Sequence, residues 1–119
     1  MALLVIALAA AWSSSAAALT RVTHACNMTL LALEIRGNRL LVKCDAPATG
    51  ADGVAVWYFA IHIGQNLERA RLALGMLTAA RIAGRQVRIT YYSDETSNTG
   101  WDMGCDPKDC RPIVALELL

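Results

Sequence analysis

The chain has 119 residues, enough for one domain, and a formal net charge of +1 at pH 7. A nearly neutral chain lacks the basic surface that nucleic-acid binding requires, so we expect no nucleic-acid partner. Hydrophobic residues make up 55% of the sequence, a share raised by an apolar N-terminus.

Residues 1–18 have the composition of a signal peptide. Residues 3–11 form an apolar core, and residues 13–18 are serines and alanines that suit a cleavage site. No Lys or Arg precedes Arg21, so an uncleaved membrane anchor is the alternative, although small residues make a poor spanning helix. We expect a signal peptide over 1–18 and a domain over 19–119. The domain is then secreted or periplasmic and free of the membrane after cleavage.

Four cysteines follow the signal peptide, at Cys26, Cys44, Cys105 and Cys110. In an oxidising compartment an even number predicts two disulfides, with three pairings open. Local pairing joins Cys26 to Cys44 and Cys105 to Cys110, the second across a tight four-residue turn. The alternative Cys44–Cys105 closes a loop of about 60 residues. Zinc binding is disfavoured, because the second close pair that such a site needs is missing.

Alternating apolar residues predict strands in the first half of the domain. Residues 27–36 and 39–44 form a hairpin around a Gly37-Asn38 turn. Residues 45–53 have the composition of a loop. Residues 54–63 are rich in β-branched and aromatic side chains and predict a third strand.

The longest periodic pattern predicts a helix over residues 66–84. Asn66 is suited to be its N-cap and Gly84 to end it. One apolar stripe along this helix consists of Leu67, Ala70, Ala73, Leu74, Leu77 and Ala80.

A second, weaker stripe runs along the same helix through Leu72, Met76, Ala79 and Ala83. A surface helix needs only one apolar stripe, so the second requires a cover. We expect a subunit contact, and hence a homo-oligomer. Residues 19–25 or 45–53 of the same chain are the competing cover.

The rest of the chain adds two predicted strands. Residues 85–92 place Val87, Ile89 and Tyr91 on one face. A polar loop continues through the cysteines 105 and 110, and residues 113–119 form the last strand. Five strands with a helix between the third and fourth predict an OB-fold barrel, a mostly-β fold with one helix at the end of the barrel.

The central part of the chain resembles a group of small secreted bacterial proteins. The shared pattern is a strand with the sequence Trp57-Tyr58-Phe59-Ala60-Ile61, an alanine-rich helix, a stretch from Gly84 into the next strand, and a cysteine loop before the last strand. The same layout is similar to the B subunits of pentameric A–B toxins, the subtilase-cytotoxin and pertussis-toxin group. The resemblance covers roughly residues 54–118. It implies an OB-fold that assembles into rings and binds cell-surface glycans.

The polar loop offers the candidate ligand site. Trp101 supplies an aromatic face with polar neighbours that suits a sugar ring, and loops on a rigid scaffold carry function more often than the scaffold does. Packing of Trp101 against the end of the barrel is the alternative. The candidate binding residues are Tyr92, Asp94, Asn98, Trp101 and Asp102.

Catalytic and metal sites are not expected. His24 and His62 are the only histidines, and neither has an evident Asp or Ser partner for proton transfer. The acidic residues after Tyr92 lack the spacing of a calcium loop and suit a solvated surface. We expect no enzyme, no cofactor and no metal. The expected function is a non-catalytic binding module, glycan- or receptor-binding like a toxin B subunit, or alternatively a periplasmic protein-interaction or inhibitor-like protein.

Overall fold

The computed structural model describes residues 19–34, 37–94 and 104–119. The predicted signal peptide lies outside them. These residues form seven strands, one α-helix and a short 3-10 turn (Ala51–Gly53). The elements are β1 (Arg21–Cys26), β2 (Met28–Glu34), β3 (Arg39–Thr49), β4 (Ala55–His62), α1 (Leu67–Ala83), β5 (Val87–Tyr92), β6 (Cys110–Pro112) and β7 (Ala115–Leu118).

The strands form two sheets, with the orders β1-β5-β7 and β2-β3-β4-β6. The prediction of a mostly-β chain with one helix is confirmed. The prediction of a five-stranded OB-fold barrel is wrong, because the described strands do not close into a barrel. The helix follows the fourth strand and not the third, since 21–26 forms a strand that the sequence pattern did not indicate.

The two sheets do not join into one barrel because the C-terminal segment divides between them. β6 pairs with β4 in parallel for three residues, ending at the Ala60–Pro112 pair. Proline has no N–H with which to continue a ladder. Two residues later the amide of Val114 donates to the carbonyl oxygen of Thr90 at 2.8 Å, and β7 then pairs antiparallel with β5. A gap is left between the end of β4 and β7.

The helix agrees with its prediction except at its first residues. It ends at Gly84, which has φ of 65° in the left-handed region where glycine is favoured. Asn66 is the N-cap residue, as predicted, but its side chain makes no capping hydrogen bond, so that part of the prediction is wrong. Its backbone carbonyl oxygen accepts from the amide of Ala70 at 2.8 Å instead.

The core lies between the two sheets and the helix. The predicted inward residues of β5, Val87, Ile89 and Tyr91, are all buried. From the helix, the predicted first stripe buries its small members together with one large one: Ala70, Ala73, Leu77 and Ala80. Alanines let the helix backbone approach the sheets closely. Leu67, predicted in the same stripe, is 47% exposed because it lies at the first turn, beyond the sheets.

Two disulfides fasten the fold in the local pairing. Cys26–Cys44 joins β1 to β3 and therefore links one sheet to the other. Cys105–Cys110 closes the turn that leads into β6. The chain therefore has the chemistry of a protein that folds in an oxidising environment, extracellular or periplasmic. None of the described helices is long and apolar enough to cross a membrane.

Candidate functional site

The gap between β4 and β7 forms a groove with a volume of about 270 Å³. We call it the α1–β7 groove. One wall comes from the helix, the opposite wall from residues 112–116, and the end of β4 contributes the rest of the lining. Its described lining residues are Ala60, Ile61, His62, Asn66, Arg69, Leu72, Ala73, Met76, Pro112, Ile113, Val114, Ala115 and Leu116.

The helical wall of the groove contains Leu72 and Met76, the first two residues of the second apolar stripe. Leu72 is 75% exposed and Met76 is 36% exposed, although both are apolar and flank the buried Ala73. Helical spacing also places Ala79 and Ala83, both exposed, along this flank. The described residues of the chain therefore leave the second stripe uncovered.

The two intramolecular covers that the sequence suggested lie elsewhere. Residues 21–26 form β1, which pairs with β5. Residues 45–49 extend β3, and its Ala48 and Thr49 pair with β4. Neither segment lines the groove.

The opposite wall is also apolar. Ile113 and Leu116 pack partly against the core, and Val114 remains 37% exposed. The amide of Ile113 donates to the Ala60 carbonyl oxygen at 2.9 Å, so this wall is held by backbone hydrogen bonds at its start. A pre-formed apolar groove with walls on a helix and a sheet is suited to bind a ligand with little rearrangement.

The polar side chains of the groove come from the end of β4 and the start of α1. They belong to His62, Asn66 and Arg69. The Nδ1 of His62 accepts from the Gln65 amide at 3.0 Å, which fixes the ring at the turn into the helix. Arg69 is exposed and has no ion-pair partner among the described residues. No described Asp or Glu lines the groove, so its charge is positive.

Of the predicted ligand residues, Tyr92 and Asp94 are described by the structure, and neither lines this groove. Asn98, Trp101 and Asp102 lie outside the described residues. Tyr92 lies at the end of β5, paired with Arg21 of β1. The carboxylate of Asp94 accepts from the Thr20 amide at 2.9 Å. That hydrogen bond gives Asp94 a structural role in holding the start of β1.

A second, polar cleft lies on the other side of the disulfide turn, with a volume of about 400 Å³. Its lining includes Glu34, Arg39, Tyr58, Asp106 and Asp109. Arg39 forms an ion pair with Glu34 at 3.1 Å and donates to the Gly104 carbonyl oxygen at 2.9 Å. Asp106 accepts from the Lys108 amide at 3.0 Å. Glu34, Arg39 and Asp106 are therefore already engaged within the chain, which makes the cleft a weaker candidate than the groove.

Within residues 19–34, 37–94 and 104–119, no cluster of three His, Cys, Asp or Glu side chains is placed to hold a metal ion. Periodicity found the helical wall of the groove, because Leu72 and Met76 stood outside the first stripe. It missed the strand wall, because residues 113–119 matched a barrel strand equally well.

No family model matches this sequence, and no curated protein matches it.

Proposed function

We propose that this protein is a non-catalytic binding module of an oxidising compartment, and that it binds a segment of another protein in the α1–β7 groove. The observation that supports this most directly is the exposure of Leu72, which is 75%. Binding is favoured when a partner removes an exposed apolar side chain from water. Full burial of an exposed side chain of this size is worth about 1.5–3 kcal/mol, and Leu72 has most of that still to gain, whereas Met76, 36% exposed, has less.

The lining favours a protein segment over a glycan. A sugar ring carries hydroxyl groups that must keep hydrogen bonds when they leave water. The groove offers only three polar side chains among thirteen described lining residues, and none of the thirteen is Trp, Tyr or Phe. The glycan interpretation also relied on a resemblance to OB-fold barrels, and the described strands do not close into a barrel. We therefore prefer the protein-interaction alternative.

Peptide display tests this proposal. The full chain is expressed into a bacterial periplasm, and the oxidised protein is used to select clones from a random peptide library. Ile82 provides a matched control, because it is apolar, 83% exposed and on the same helix, but does not line the groove. We expect selected peptides to lose roughly tenfold or more in affinity for Leu72→Glu and Met76→Glu, and to bind Ile82→Glu normally.

Circular dichroism and urea unfolding of each variant confirm that it remains folded. A glycan array with the same protein forms the second arm. Peptides that bind all three variants equally, or no enriched peptides at all, would overturn the proposal. Binding to a glycan on the array that Leu72→Glu does not weaken would favour a glycan-binding function instead.

A further inference from the structure

We infer that the bound segment is extended and adds to the open edge of β7 as a further strand, with apolar side chains at alternate positions and an acidic residue facing Arg69. This inference rests on the proposed function and specifies how the partner is recognised. It describes recognition by strand addition, in which backbone hydrogen bonds supply affinity and side-chain pockets supply specificity.

The open edge is a feature of the sheet order. β7 is the terminal strand of its sheet and pairs only with β5 among the described strands. One edge of β7 is therefore occupied, and the other presents backbone N–H and C=O groups that no described strand meets. Such an edge is a template for another chain.

The position of β7 distinguishes it from the other sheet edges. Four strands are terminal in the two sheets: β1, β7, β2 and β6. β7 contributes Ala115 and Leu116 to the groove lining, and β6 contributes only Pro112, which has no N–H to donate. β1 and β2 contribute no lining residue. Among the described strands, β7 alone combines a place in the apolar groove with an open edge that has both donors and acceptors.

The pleat of β7 determines which side chains of an added strand enter the groove. Leu116 packs against the core and lines the groove. The next residue, Glu117, points to the other face, where it pairs with Arg88 at 2.9 Å. An added strand shares this pleat, so every second side chain faces Leu72 and Met76. The intervening side chains face solvent and are free to be polar.

The charge of the groove specifies one further residue. Arg69 is the only Arg or Lys among the described lining residues, and the lining includes no carboxylate. Arg71, two positions along the helix, is also exposed but does not line the groove, and its Nη1 lies 3.9 Å from Oε1 of Glu68. An acidic side chain at the Arg69 end of the bound segment therefore has a cation to meet, and a basic one is repelled.

The backbone test uses the tightest peptide selected on the oxidised protein, synthesised with a single N-methyl group at each position in turn. N-methylation removes one hydrogen-bond donor without changing the side chain. We expect alternate positions to lose roughly tenfold or more in affinity and the positions between them to change little. Losses spaced three or four residues apart would indicate a bound helix, and uniform tolerance would show that β7 does not pair. Either outcome overturns strand addition while leaving a Leu72-dependent binding function intact.

The charge test compares Arg69→Glu with Arg71→Glu. We expect the first to weaken an acidic peptide by roughly tenfold and to be rescued when the acidic residue is exchanged for lysine. The second variant should behave like the parent. Equal losses in both variants would show general attraction and overturn the role of Arg69. Light scattering at tens of micromolar protein tests whether a second copy of the chain occupies the groove instead. A dimer that Leu72→Glu dissociates, together with no peptide binding, would assign the groove to that second copy and overturn the inference.

Discussion

The Nε of Arg111 donates to the carbonyl oxygen of Ser93 at 3.0 Å, and this side chain is fully buried. Arg111 belongs to β6, and Ser93 follows the last residue of β5, so the hydrogen bond joins the two sheets. Nη1 also donates to the carbonyl oxygens of Cys110 and Pro107, at 2.7 and 2.5 Å. One guanidinium thus connects β6, the disulfide turn and the end of β5.

Replacing Arg111 with Met should destabilise the protein by about 3 kcal/mol, because buried carbonyl oxygens lose a charged donor. Arg88→Met is the control. Arg88 forms an exposed ion pair with Glu117, and such pairs contribute at most about 1 kcal/mol. Urea unfolding of both oxidised variants measures the difference. Similar losses in the two variants would show that the buried hydrogen bonds are not what stabilises the contact between the sheets.

Tyr91 makes a second contact across the molecule, since its hydroxyl group donates to the Thr49 carbonyl oxygen at 2.8 Å. Burial raises the pKa of Tyr91 above its ordinary value of 10.0. The folded state therefore holds the phenolic proton more tightly than the unfolded state. The stability from this difference is complete below pH 10 and is lost as the pH rises through the folded-state pKa.

Tyr91→Phe should accordingly cost about 0.5–1.5 kcal/mol at pH 8, from the lost hydrogen bond. The gap in unfolding free energy between the parent and this variant should narrow at pH 11, because only the parent loses the contribution of Tyr91. Tyr58 and Tyr92 are present in both proteins and cancel. A gap that stays constant or widens with pH would contradict the prediction.

Two glycines of the helix should respond in opposite ways to alanine. A Cβ at Gly75 meets nothing within 4 Å, so Gly75→Ala should stabilise the helix interior by about 0.5–1 kcal/mol. Gly84 has the same open surroundings but φ of +65°, so Gly84→Ala should cost about 1–2 kcal/mol. Thermal and urea unfolding measure both. Destabilisation by Gly75→Ala would reveal a close neighbour on the outer face of the helix, and hence an interface there.

Local pattern predicted the elements whose residues lie close together in the chain. The helix, with its left-handed stop at Gly84, follows from periodicity and cap chemistry alone. The same is true of β4, of the buried face of β5 and of the uncovered stripe at Leu72 and Met76. Each of these depends on side chains within one or two turns or on strict alternation.

Pairing between distant residues was not predictable in the same way. β1 is identified by its register with β5, in which Cys26 meets Val87. β6 has only three residues, too few for any periodicity, and its identity comes from the pairing of Cys110 with Tyr58. Arg111 lies between the predicted polar loop and the predicted last strand, and nothing in the local pattern indicates that it is buried and donates to the carbonyl oxygens of Ser93, Pro107 and Cys110. The strand wall of the groove depends on all of these contacts.

The two disulfides should differ in what their removal does. Cys26 and Cys44 are 18 residues apart, fully buried, and join the two sheets. Replacing both with Ala should cost about 3 kcal/mol from loop entropy. Cys105 and Cys110 are 5 residues apart and close only a local turn, so replacing both should cost about 2 kcal/mol.

Peptide mapping checks the pairing before the energies are compared. Trypsin cleavage after Lys108 of the unreduced protein should leave the fragments containing Cys105 and Cys110 linked, and reduction should separate them. Fragments linked between Cys44 and Cys105 would contradict the structure.

Urea unfolding of the two double variants then gives the two losses in free energy of unfolding, with the parent as reference. The Cys26/Cys44 variant should be the less stable, because the loop it releases is longer and the bond it removes holds β1 against β3. The reverse order would show that the turn before β6, which supports the buried Arg111, contributes more to stability than the link between the sheets.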